Sequence, residues 1–167
     1  MKRYMEHMIR SAEQRVDQFL SLQVKDERDV FFGGMKRPIL EAKPTIYVMA
    51  DAASVYLNEK SRYYKSESLL KAMEAAIIFI KNCQREDGSF DYPSCNFKSA
   101  PDTSFCFKRL IATYRLFLKY TGDEELVSLK AGYRYVLVKA QTALLTGGFH
   151  TPNHRWGITA VSYTHLR

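Results

Sequence analysis

Apolar residues recur at helical spacing through most of this chain. Tyr4, Met5, Met8, Ile9, Val16, Phe19 and Leu20 mark one face of a helix from Arg3 to about Leu22. The charged run Lys25-Asp26-Glu27-Arg28-Asp29 breaks the pattern, and Val30-Phe31-Phe32-Gly33-Gly34-Met35 follows as a loop. Pro44 suits the first turn of a second helix, since its missing N–H is not needed there. That helix carries Ile46, Met49, Ala50, Ala53, Tyr56 and Leu57 and ends near Asn58. A third, from about Ser66 to Asn82, buries Leu69, Leu70, Met73, Ala76, Ile77 and Ile80. After a loop over Asp91–Pro101, Asp102 is placed to cap a fourth helix bearing Phe107, Leu110, Ile111, Tyr114, Phe117 and Leu118. Thr121 and Glu124 stand at capping-box spacing ahead of a fifth, with Leu126, Leu129, Tyr133, Val136, Leu137 and Ala140 on its stripe. No segment alternates with period two, so the expected class is all-α.

The pattern also repeats. Gly33-Gly34-Met35, Gly88-Ser89-Phe90 and Gly147-Gly148-Phe149 begin 55 and 59 residues apart, with helix, connection, helix and loop between them. Ala42-Lys43-Pro44-Thr45 opens the second helix as Ala100-Pro101-Asp102-Thr103 opens the fourth, and Gln84 and Gln141 stand at the expected ends of the third and fifth. A fixed period marks a repeat architecture, because one helical hairpin cannot bury its face alone. Units of this length fit a toroid of inner and outer helices better than an open solenoid. The reading is an incomplete (α/α) toroid of antiparallel hairpins over residues 1–160, with the repeating loops on one rim. Val161–Arg167 resembles translated adapter sequence and is expected to be a non-native tail.

Composition narrows the class. At 46% hydrophobic the chain is neither disordered nor membrane-like, and its longest apolar run, Ala75–Ile80, is too short to span a bilayer. No apolar stretch follows the basic N-terminus, so no signal peptide is expected; that favours a cytoplasmic protein, or a fragment without its export signal. The net charge of +7 favours anionic partners, nucleic acid and acidic polysaccharide alike. The basic residues are scattered, however, and a solvated helical surface accounts for them equally well. Cys83, Cys95 and Cys106 form no CxxC pair, so no metal-ligand spacing and no cofactor motif is identifiable, and a Cys83–Cys95 disulfide is not expected.

The densest chemistry lies in Thr146–Trp156, where Asn153, His154, Arg155 and Trp156 are consecutive. Taken with Asp87-Gly88-Ser89-Phe90 and Asn96-Phe97-Lys98-Ser99-Ala100-Pro101-Asp102-Thr103, the block Gly147-Gly148-Phe149-His150-Thr151-Pro152-Asn153-His154-Arg155-Trp156 resembles the heparinase II/III-like family. The order and spacing of the three blocks carry this resemblance, which covers the second half of the chain strongly and the first half through the repeat. It implies an incomplete (α/α) toroid followed by β-sheet domains, for which this chain has no counterpart. It also implies a polysaccharide lyase that cleaves a uronate polymer by β-elimination. Asn153 would neutralise the uronate carboxylate as enolate charge develops, and His154 would assist it or share in proton transfer. Arg155 would bind an acid group or hold the loop, and Trp156 would stack on a sugar or anchor the next helix. His150 would line the cleft, and Asn96 and Ser99 would reach sugar hydroxyls. The family's catalytic Tyr lies downstream and a further His or Tyr comes from a β-domain, so the chain alone is expected to be inactive. The partner implied is an acidic polysaccharide or oligosaccharide, with neither nucleic acid nor membrane involved. Two rivals stand beside this. One is a toroid glycoside hydrolase drawing a carboxylate pair from Asp87, Asp91 and Asp102. The other is a glycan-binding helical repeat without catalysis.

Overall fold

A computed structural model describes residues 2–120, 122–146 and 152–165, with side chains over 3–120, 122–146 and 154–160. Among these residues the protein is mostly helical: α1 (Lys2–Leu22), α2 (Lys43–Tyr56), α3 (Glu67–Cys83), α4 (Ala100–Leu118), α5 (Val127–Thr146) and α6 (Pro152–His165). Helices α2, α3 and α5 follow the expected stripes closely, whereas α4 buries Phe107, Leu110 and Phe117 but leaves Leu118 exposed. Ile46, Met49, Ala53 and Tyr56 of α2, Leu69, Met73, Ala76 and Ile80 of α3, and Leu129, Tyr133, Val136 and Ala140 of α5 are all buried in one continuous core. α1 departs from its pattern. Val16 and Phe19 are fully buried, but Tyr4, Met5 and Met8 stay exposed, so only its second half packs.

Two further boundaries differ from expectation. The segment read as a loop before α4 holds a small antiparallel hairpin, β1 (Phe90–Tyr92) and β2 (Asn96–Ser99), pairing Phe90 with Ser99 and Tyr92 with Asn96 around a bulge. Strands of three and four residues span too little chain to show an alternation. α5 begins at Val127 after a short 3₁₀ turn over Glu124–Leu126, and Thr121, half of the expected capping box, lies outside the described residues.

α2, α4 and α6 pack side by side as one layer; α3 and α5 pack on each other behind it, and α1 packs on α2. α1 and α2 are antiparallel: Gln23, just past the end of α1, donates to Gly33 O ahead of α2 (2.9 Å), while Ser61, beyond the end of α2, donates to Glu13 (2.8 Å). α2 and α4 run parallel, since Lys43 Nζ meets Asp102 Oδ1 at 2.8 Å and, one turn on in α2 and two turns on in α4, Arg109 lies over the Tyr47 ring at 4.9 Å. At the opposite end Lys65 ties the α2–α3 turn to Asp123 (3.1 Å) and Glu125 (3.6 Å) ahead of α5.

The first two units of the sequence repeat share their contacts, while Gly147-Gly148-Phe149 lies outside the described residues. Gly33 and Gly88 both have positive φ, +80° and +87°. A Cβ at Gly33 would fall 2.0 Å from Ala75 O of α3, and one at Gly88 would fall 1.9 Å from Lys139 O of α5. Three residues earlier on each of those helices a carbonyl accepts from a glutamine amide: Gln23 Nε2 donates to Ala72 O (2.8 Å) and Gly33 O (2.9 Å), and Gln84 Nε2 to Val136 O (3.0 Å) and Gly88 O (2.9 Å). Two residues beyond each glycine, the amide of Met35 donates to Thr45 Oγ1 (3.2 Å) and that of Phe90 to Thr103 Oγ1 (2.8 Å). Each loop is thus clamped between the helix it enters and the helix that follows, α3 for the first and α5 for the second, with its buried amides satisfied. Gln141 breaks the expected correspondence: it lies inside α5, which runs on to Thr146.

Candidate functional site

The start of α4 organises the rim. Pro101 in its first turn needs no N–H partner, so the helix begins at Ala100 and the cap falls on Ser99, not on Asp102. Ser99 Oγ accepts from Asp102 N (3.2 Å) and donates to Asp102 Oδ2 (2.6 Å), while Asn96 Nδ2 donates to Ser99 Oγ (3.2 Å). Thr103 Oγ1 donates to Ser99 O (2.6 Å). Of the two residues expected to meet sugar hydroxyls, Ser99 is therefore buried in the cap, and Asn96 is half-buried and supports it.

Asp102 also receives Lys43. Burial draws the lysine's pKa down, but the hydrogen bond and charge of Asp102 more than offset this, and the group is held above its ordinary value. Its ammonium lies 4.9 Å from the centre of the Tyr92 ring and 5.8 Å from that of Phe105, both partly exposed. A cation between two aromatic rings, tied to a helix-cap carboxylate, fixes the hairpin to the α2–α4 seam.

The hairpin has its own latch. Asp91 accepts from Arg85 Nε (2.7 Å) and from Lys98 N (2.7 Å). Burial pushes the Asp91 carboxyl up, but these two donors outweigh it and hold its pKa below the ordinary 3.8. Asp87 is likewise lowered by the hydroxyl and amide of Ser89. A carboxyl with a depressed folded pKa stabilises above its unfolded value, and loses that contribution as pH falls through the folded one. Lys98 amide protection in hydrogen exchange is expected to be high near neutral pH and to fall below about pH 4. In Asp91→Asn it should be low at both. Unchanged protection through the acid range would show that the latch does not hold the hairpin.

α6 brings the last block to the same rim. Gly157, in its second turn, lies against Ser104 in the second turn of α4, where an added Cβ would be 3.6 Å from Ser104 Oγ. The first turns of α4 and α6 are therefore neighbours. Asn153 sits in the first turn of α6 with its side chain outside the described residues, and His150 lies outside them altogether. His154 is half-buried, Arg155 is exposed, and Trp156 is 74% exposed, so its indole does not anchor α6 in the core. Tyr133 is fully buried and its hydroxyl pKa is driven far up by desolvation, which fits packing. The three cysteines are unpaired, with Cys83 pushed up to about 12 by burial. Among the described residues no group of three or more His, Cys, Asp or Glu could hold a metal ion, and no helix is long and apolar enough to cross a membrane.

Sequence reasoning did not select Lys43, Tyr47, Tyr92 or Arg109. The available signal was the alignment of Ala42–Thr45 with Ala100–Thr103, which sets both helix starts on one rim. In comparisons with known proteins, no family model, no curated protein and no solved structure matches this chain.

Proposed function

We propose that the two helix layers are a segment of an (α/α) toroid. On this reading the chain carries the carboxylate-neutralising half of a lyase site that cleaves a uronate-containing polysaccharide by β-elimination. The observation that supports this best is the juxtaposition of the α4 and α6 starts through Ser104 and Gly157. It brings the blocks Asn96–Thr103 and Asn153–Trp156, far apart in the chain, to one edge. Helix N-termini there favour a developing negative charge. In this reading Asn153 hydrogen-bonds the uronate carboxylate and His154 assists it. Arg155, Trp156 and His150 meet the sugar chain, and Asn96 and Ser99 hold the rim in shape through the α4 cap.

The geometry weighs against the hydrolase reading. A general acid needs a raised pKa, whereas Asp87 and Asp91 are lowered and Asp102 is tied to Lys43 and Ser99. The proposal places the proton-abstracting Tyr downstream, so the assay uses a gene product extended through it. Incubation with alginate, heparan sulfate and other uronate polymers is expected to release an ultraviolet-absorbing unsaturated uronate from at least one. New reducing ends without that absorbance would make the protein a hydrolase. Tight binding without new ends would make it a binding module.

A further inference from the structure

Below the rim, one face of α2 presents the part-buried Pro44, Tyr47 and Asp51 and the buried Val48, the spacing of one helical stripe. α1 and α4 wall this face into a groove of about 460 Å³ that also takes in Arg15, Arg37 and Arg109. That is within the ~300–1,000 Å³ range of small-ligand sites. Arg15 is spent on Asp51 through two hydrogen bonds of 2.8 Å, so that pair is internally neutral. The other two arginines are not balanced: among the described residues neither Arg37 nor Arg109 has a carboxylate partner. Arg109 instead lies over the Tyr47 ring at 4.9 Å. Contact with the ring ties none of its N–H groups to a carboxylate, and a guanidinium fork can grip a carboxylate or sulfate with two parallel bonds. One turn nearer the rim on both helices, Lys43 stands between Tyr92 and Phe105. Cations and aromatic rings thus alternate down the α2–α4 seam from the candidate site into the groove.

We propose that this groove is a subsite for one acid-bearing residue of a saccharide chain, with Arg109 gripping its acid group, Arg37 adding charge from the loop ahead of α2, and Tyr47 holding Arg109 in plane. This rests on the acidic-saccharide reading above, but not on the elimination chemistry. Calorimetry on the 167-residue chain tests it with a defined oligouronate, a neutral oligoglucoside, inorganic sulfate and single-stranded DNA as probes. Oligouronate is expected to bind and the neutral chain not. Arg109→Ala should weaken oligouronate binding at least about tenfold, the loss of one charge-assisted pair. Arg109→Lys, which keeps charge but not the fork, should fall between, and Arg37→Ala should weaken binding and flatten its salt dependence. Both arginines are exposed, and circular dichroism must show the variants folded. The subsite is overturned if Arg109→Ala binds oligouronate like the parent. It is also overturned if sulfate alone competes fully at equal concentration, or if DNA binds more tightly than oligouronate. In the extended protein the two ideas separate. Arg109-dependent binding without elimination leaves the groove standing and removes the lyase. Elimination with an unchanged KM in Arg109→Ala does the reverse.

Discussion

Gly88→Ala is expected to destabilise the protein by at least about 3 kcal/mol, in the range reserved for backbone strain and overpacking. Two effects act at one atom. The backbone at Gly88 has φ +87°, a conformation that a Cβ disfavours by roughly 1–2 kcal/mol. The added carbon would also lie 1.9 Å from Lys139 O, a main-chain atom in the fourth turn of α5 that cannot swing aside as a side chain would. Relieving the contact means lifting the loop, which pulls the Gln84 amide from Val136 O and Gly88 O and moves Phe90 N from Thr103. For a chain of this size the loss corresponds to a fall of about 6–12 °C in Tm. Gly33→Ala should behave alike, because its Cβ would meet Ala75 O at 2.0 Å. Gly122→Ala is the control: nothing lies within 4 Å of that position, and its effect should stay within about 0.5 kcal/mol. If Gly88→Ala melts with Gly122→Ala and the parent, the loop is not clamped against α5.

The second large effect concerns turnover. On the proposed lyase reading, in a gene product extended through the downstream Tyr, Asn153→Ala is expected to lower kcat by about 10²–10³, the loss seen when one preorganised donor is removed from a developing anion. Asn153 is in the first turn of α6, beside the start of α4. A carboxylate bound there meets the positive ends of helix dipoles as well as the side-chain amide. The charge on the uronate carboxylate is greatest as the α-proton leaves, so kcat should fall more than ground-state binding. Asn153→Asp should be worse, because it sets a negative charge against a negative substrate. Both variants should match the parent by circular dichroism. Cleavage of a uronate polymer by Asn153→Asp at the parental rate would reduce Asn153 to a loop residue and remove the best local support for β-elimination.

Much of this protein was legible in its one-dimensional pattern. Helices α2, α3 and α5 bury the residues that the 3.6-residue period marks, because a helix in contact with a core has only one way to hide an apolar stripe. The repeat was legible too, since Gly33 and Gly88 are demanded by a backbone conformation that other residues rarely adopt. Tertiary structure alone decided the partners. Nothing local in Gln23 or Gln84 names Ala72 or Val136 as acceptors; those carbonyls arrive when α3 and α5 dock. The α4 cap moved from Asp102 to Ser99 because Pro101 lets the helix start earlier and the hairpin brings Asn96 onto the serine, which releases Asp102 to hold Lys43 from another hairpin. Arg109 and Tyr47, distant in sequence, were invisible as a pair until parallel packing of α2 and α4 set the guanidinium over the ring. Periodicity encodes which side of a helix is buried. What the exposed side meets depends on helices that the local sequence does not contain.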